Sequence, residues 1–111
     1  MADTESPTST ATLLRALIIH ADDNVANLIG SGVRGLPVAC TVEGHPEAES
    51  IELVTDVPQN HKFARCDIVA GAPILKYGLS IGKATKPIRR GEHVHTQNVE
   101  SNRGRGDLQN S

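Results

Sequence analysis

Short apolar runs, each cut off within a few residues by glycine, proline or a polar cluster, decide what this chain can fold into. Runs of that length fit a strand and fall short of a stable helix. No sustained helical period occurs. Residues 13–20, Leu-Leu-Arg-Ala-Leu-Ile-Ile-His, read as a strand because they are apolar and end in β-branched residues. A polar turn follows at 20–24. Residues 25–29 fit a second strand, closed after five residues by Gly30-Ser-Gly32. Further strands are expected at 37–42, 51–57, 66–69, 74–77, 80–85 and 93–99. In the 51–57 run, Ile51, Leu53, Thr55 and Val57 alternate onto one face. The polar loop 43–50 is expected to project into solvent.

One pattern recurs. Ile68-Val-Ala-Gly71-Ala-Pro-Ile74 and Ile88-Arg-Arg-Gly91-Glu-His-Val94 share the form apolar-x-x-Gly-x-x-apolar, and Val33-Arg-Gly35-Leu-Pro-Val38 is a weaker copy. Each predicts a strand end, a turn with glycine at positive φ, and a new strand. Repeated turns of this kind fold one chain into small hairpins. The expected class is an all-β domain, compact and folded over on itself.

The size and composition narrow the function. Of 111 residues, 1–12 and 101–111 read as flexible tails and 13–100 as one domain. A unit of about 90 residues buries a marginal core and has little room for a deep cleft. With one Phe, one Tyr and no Trp, the core must be aliphatic, and the lack of aromatics argues against a base-stacking surface. A net charge of −2 gives no basic field for nucleic acid. No apolar run is long enough for a membrane span, and the Met1-Ala-Asp-Thr-Glu5 start does not read as a signal peptide. The chain is therefore expected in the cytoplasm, with Cys40 and Cys66 as free thiols.

Four of the five histidines fall in polar clusters at expected strand ends. His20 precedes Asp22, Asp23 and Asn24; His61 precedes Lys62; His93 and His95 sit beside Glu92 and before Asn98. Residues two apart on a strand face one way, so His93 and His95 can present two imidazoles to a divalent metal. Taken singly, each cluster also has a plain structural reading: a solvated strand face, a cap, a turn, or an exposed loop at His61-Lys62. Lys76-Tyr77-Gly78 reads as a core edge and a turn.

The clusters gain meaning in order. His20-Ala-Asp-Asp-Asn24-Val-Ala26, then His61-Lys-Phe-Ala64 with Asp67-Ile-x-x-Gly71, then Ile74-Leu-Lys76-Tyr-Gly-x-x-Ile-Gly-x-Ala84, then Ile88-x-x-Gly91-Glu-His-Val-His95-x-x-Asn98 follow one another. Over about residues 15–100 they resemble the N-terminal domain of altronate and galactarate dehydratases, and also the small subunit of sulfolactate sulfo-lyase. The resemblance implies the SAF group and its β-clip fold. There are departures. Asn60 stands where the family commonly has Gly, Gln97 where it often has a further His, and loop 43–50 is longer.

The resemblance also implies a lyase acting on a hydroxylated carboxylic acid, with iron or manganese as divalent cofactor. It points to His20, His93 and His95 as metal contacts and to His61 and Lys62 as catalytic groups polarising the acid. Asp23, Asn24, Lys76 and Asn98 are then expected at the substrate, with Asp23 and Asn24 also orienting His20. Most catalytic groups are expected on a separate large subunit, against which the Gly-rich tail from Ser101 would order. The Arg105-Gly106-Asp107 triplet in that tail is read as coincidence. Three readings stand: a sugar-acid dehydratase subunit, a sulfolactate sulfo-lyase subunit, and a non-catalytic binding module.

Overall fold

The computed structural model describes residues 14–102. Among these, nine strands run in order: β1 Leu14–Ile18, β2 Val25–Ile29, β3 Pro37–Val42, β4 Ala48–Glu52, β5 Lys62–Ala64, β6 Pro73–Lys76, β7 Leu79–Ala84, β8 His93–Val94 and β9 Val99–Ser101. Six form one sheet in the order β4-β3-β1-β2-β5-β8, and three form a second, β6-β7-β9. Only β1 and β3 pair parallel; every other pairing is antiparallel. The fold is all-β, as the broken apolar runs require.

Two clasps organise these strands. In the first, Ile68 and Ile88 form an isolated antiparallel bridge. The bonds around it come in exchanged pairs. The Gly71 amide donates to Ala84 O and the Gly91 amide to Ala64 O, both at 2.8 Å; the Ala84 amide donates to Ala72 O and the Ala64 amide to Glu92 O, both at 2.9 Å. The two copies of the glycine pattern thus pair with each other about an approximate two-fold. The second clasp is centred on the Gly32–Val57 bridge. There Gly35 donates to Leu53 O at 2.7 Å, Leu53 to Leu36 O at 2.9 Å, and Leu28 to His61 O at 3.0 Å. Its other arm is Val57-Pro-Gln-Asn60, a copy without glycine.

Each arm turns through a left-handed residue. Gly71 and Gly91 have φ of 88° and 87°, and Asn60 takes the same position at 62°. Asparagine is among the few side chains that enter this region readily, which explains how it stands in for glycine before His61. Gly91 has no such latitude: a Cβ there would strike the carbonyl of Glu52.

The core divides in two. Phe63, Ile18, Leu28, Val38, Ile51, Leu53 and Val57 form one buried cluster against the large sheet. Val25, Ala64 and Val94 from that sheet meet Ile68, Ile74, Ala84 and Ile88 in a second cluster that seats β6 and β7.

The structure corrects several expected elements. The 51–57 strand begins earlier, at Ala48, and ends at Glu52. Ile51, Leu53 and Val57 are all buried as the alternation predicts, but Leu53 and Val57 already belong to the second clasp. Loop 43–50 is correspondingly shorter, because its last residues pair with β3. Residues 66–69 contribute only the Ile68 bridge. The strand lies instead at Lys62–Ala64, where an exposed loop was one reading. The 93–99 strand is broken into β8, a turn and β9. Ser101 lies in β9 and the Asn102 side chain donates from Nδ2 to Ser80 O at 2.9 Å, so order extends slightly past residue 100. The rest of both expected tails, with the 105–107 triplet, lies outside the described residues.

The clasp geometry predicts how stability responds at its turn positions. Asn60→Gly should leave urea stability within about 1 kcal/mol, while Asn60→Val should cost roughly 1–2 kcal/mol. Gly91→Ala, with its collision against backbone, should cost about 4 kcal/mol or more. Equal loss in the Asn60→Gly and Asn60→Val proteins would show that the side chain, not the backbone angle, matters there.

Candidate functional site

The strands leaving the two clasps meet at one short joint. β5 follows Asn60 and β8 follows Gly91, and they pair through Lys62↔Val94 and Phe63↔His93. His61 enters from one side of this joint, His93 and His95 from the other. Nδ1 of His61 lies 2.8 Å from Nε2 of His93. Ring centroids are 5.0 Å apart for His61–His93, 4.5 Å for His61–His95 and 5.6 Å for His93–His95. One nitrogen from each ring lies within 4.8 Å of the other two. His61 and His93 are half-buried and His95 is exposed.

Residues around the joint hold the rings in place. Asn98 is fully buried. Its Oδ1 accepts from the His95 amide at 3.0 Å, and its Nδ2 donates to the His93 carbonyl at 2.9 Å. This fold-back ends β8 at Val94, yet it leaves the His93 and His95 rings stacked with 15° between planes. The expected common face is therefore reached by a turn and not by strand alternation. The His93 amide also donates to Thr55 Oγ1 at 2.9 Å. Gln97 Nε2 lies 3.2 Å from His93 Nδ1. A Gln97 amide donating there would place the His93 proton on Nε2, facing His61. A cation and this shared proton compete for the same lone pairs.

The surroundings are cationic. Lys62, Lys76, His61 and His95 line a cavity of about 110 Å3 together with Asn27 and Asn60. Desolvation, followed by the charge of Lys76, lowers the pKa of Lys62. Desolvation first, then His61, His95 and Lys62, lowers that of His93. Partial desolvation with His61 and Lys62 does the same for His95. The two histidine shifts favour neutral imidazoles, the form that binds a metal.

The remaining expected residues are placed differently. Asp23 is buried and accepts the amides of Tyr77 at 2.9 Å, Gly78 at 2.8 Å and His20 at 3.2 Å. Asn24 accepts the Leu75 amide at 2.7 Å and donates to Pro73 O at 2.9 Å. These two side chains, like Asn98, spend their polar atoms on backbone. The expectation that they contact substrate gives way to a positioning role, Asp23 and Asn24 fastening the β6–β7 hairpin. His20 stands outside the three-imidazole group; its Nδ1 accepts the Asp22 amide at 3.1 Å, and its ring packs against Gly78. Lys76 does reach the cavity. Thr55, 38 residues from His93 in sequence, carried no signal of this contact, and Gln97 was marked only as a departure from the family pattern.

Both cysteines are free. Burial, aided by Glu49, pushes the Cys40 thiol up to about 12, so it is inert. Arg65 is likewise structural, bonded to Glu49 and to the carbonyls of Ala21 and Asp23.

The donor set fits a divalent transition metal. Three imidazoles within one ion's reach, with no carboxylate in the group, suit iron or zinc better than manganese, which prefers oxygen ligands.

Comparison with known proteins identifies the family of the chain. Residues 14–102 match the altronate/galactarate dehydratase SAF domain. Altronate dehydratase of Escherichia coli K12 is 40% identical over 84 residues, covering 76% of this chain and 16% of that protein. The (2R)-sulfolactate sulfo-lyase subunit alpha of Chromohalobacter salexigens is 33% identical over 88 residues, 78% of this chain and 94% of that subunit. Galactarate dehydratase (L-threo-forming) of Escherichia coli K12 is 36% identical over 76 residues, 68% of this chain and 13% of the relative. The chain thus spans about a sixth or less of the dehydratases it matches and nearly all of the sulfo-lyase subunit. No helix among the described residues is long and apolar enough to cross a membrane.

The lowered histidine pKa values predict an acid-sensitive fold. In the unfolded chain His93 and His95 take up protons near 6.5; in the folded chain they do so at lower pH. Their contribution is therefore complete above 6.5 and is lost as the pH falls through the lowered folded values. The melting temperature should drop between about pH 7 and pH 5, and His93→Gln with His95→Gln should flatten that drop. An unchanged pH profile in the double variant would contradict the assignment.

Proposed function

The chain belongs to the altronate/galactarate dehydratase SAF-domain family, and from that premise we propose that it is the small, cytoplasmic component of a lyase completed by a large subunit. The reaction we assign is dehydration of a sugar acid such as altronate or galactarate to a 2-keto-3-deoxy acid. The observation that carries this reading is the convergence of His61, His93 and His95 beside two lysines.

In this proposal the three imidazoles hold a divalent cation, iron(II) in preference to manganese. Bound there, the ion supplies Lewis-acid stabilisation for charge developing on an acid substrate. Lys76 and Lys62 face the substrate's carboxylate. Asn98, Thr55 and Gln97 keep the His93 and His95 rings in register, as supporting groups do around metal ligands. His61 therefore moves from polarising the acid to ligation, and His20 from ligation to the support of the Tyr77–Gly78 turn. A cavity of about 110 Å3 is far below the roughly 300–1,000 Å3 of a complete small-molecule site. Proton removal and protonation of the leaving hydroxyl are accordingly assigned to groups outside the described residues.

A second reading has its own support. The sulfo-lyase relative is matched over 94% of its length and is itself a subunit. In that case the complex would release sulfite from sulfolactate.

The test is co-purification with a large lyase subunit, followed by assay with iron(II) on altronate, galactarate and sulfolactate. A 2-keto-3-deoxy acid supports the first reading and sulfite the second. His93→Ala with His95→Ala should lower turnover about 100-fold or more while the complex still assembles. Full turnover and metal content in that variant would overturn the site.

A further inference from the structure

The cavity beside the imidazole triad has an unbalanced charge. Lys62 and Lys76 both line it, and no ion pair joins either to an acid among the described residues. Two acids of the motifs accept backbone amides and pair with neither lysine. Glu92 accepts the Arg89 amide at 2.9 Å, and Asp23 is committed to the Tyr77 and Gly78 amides. A divalent cation on three neutral imidazoles would keep its whole charge, and two ammonium groups close by would oppose it.

The position of Lys76 is nonetheless specified. Its Nζ lies 5.1 Å from the centroid of the Tyr77 ring, a cation–π contact. Tyr77 itself sits at φ 58°, a conformation that a bulky residue adopts at a cost. The Asp23 carboxylate grips both turn amides and holds it there. Tyr77 and Gly78, both at positive φ, form the two-residue turn that joins β6 to β7, and this turn fixes where Lys76 leaves the hairpin.

We propose that this cavity is a carboxylate subsite whose occupant and the triad's divalent cation bind with positive cooperativity. The inference rests on the proposed cation site and adds how that site is loaded. One carboxylate between Lys62, Lys76 and the cation relieves the repulsion among all three. By linkage, the acid then tightens the cation by the factor by which the cation tightens the acid. The cavity's size selects an acid group and leaves the remainder of the substrate outside.

Calorimetric titration of the full chain with cobalt(II) at about pH 7.5, with and without glycolate, tests this. Glycolate is a small 2-hydroxy acid that complexes the free ion only weakly. Cobalt should bind about tenfold more tightly when glycolate is present. Lys76→Met removes the charge and keeps the apolar stem. It should bind cobalt alone more tightly than the parent chain and lose the glycolate effect. Lys76→Arg should preserve the effect, which separates charge from folding. Cobalt binding that ignores glycolate in the parent chain, or Lys76→Met binding cobalt alone more weakly, overturns the coupling while leaving the triad intact. Absence of cobalt binding under both conditions overturns the triad reading and the coupling with it.

Discussion

A left-handed backbone residue, three positions after a bridged one, sets the course of the chain four times. Because the arms pair in twos, each turn is held by bonds from the opposite arm, as when Gly71 and Gly91 donate to Ala84 and Ala64. The exits of the two clasps, Asn60 and Gly91, then deliver β5 and β8 side by side. His61 and His93 are 32 residues apart in sequence and 2.8 Å apart in space for that reason. The side chains supply chemistry only after the backbone has brought them together.

This hierarchy explains what the sequence made legible. The glycines announced three arms, because at Gly35, Gly71 and Gly91 composition and backbone angle coincide. The fourth arm was hidden, since Asn60 meets the same demand without the glycine; it registered only as a departure from a family pattern. Strands β2 and β3 were readable end to end, being apolar runs with sharp boundaries. The run after Ile51 was misleading because alternating burial continues beyond Glu52 while the hydrogen-bond partner changes from β3 to the second clasp. Burial pattern reports which side chains face the core, and says nothing about which backbone supplies the bonds.

The site shows a similar division. Histidine pairs two apart are visible in any sequence, and His93 with His95 was a direct reading. That His61 would join them, and His20 would not, depended on the β5–β8 pairing, which no local pattern contains. Asp23, Asn24 and Asn98 were expected at the substrate, and their side-chain atoms bond backbone instead. Polar residues inside a family motif invite assignment to the ligand, yet here their atoms are used to fasten a hairpin and a fold-back. Motif membership marks that a residue matters, and the hydrogen-bond partners decide to what.

The joint between β5 and β8 is only two residue pairs long, and β8 is the outermost strand of its sheet. Anything gripped by His61 from one clasp and by His93 and His95 from the other becomes a cross-link between distant parts of the chain. Occupancy and tertiary structure are then a single equilibrium: a ligand that favours the closed joint adds its binding free energy to the fold. Such a domain would report its own loading through its resistance to unfolding.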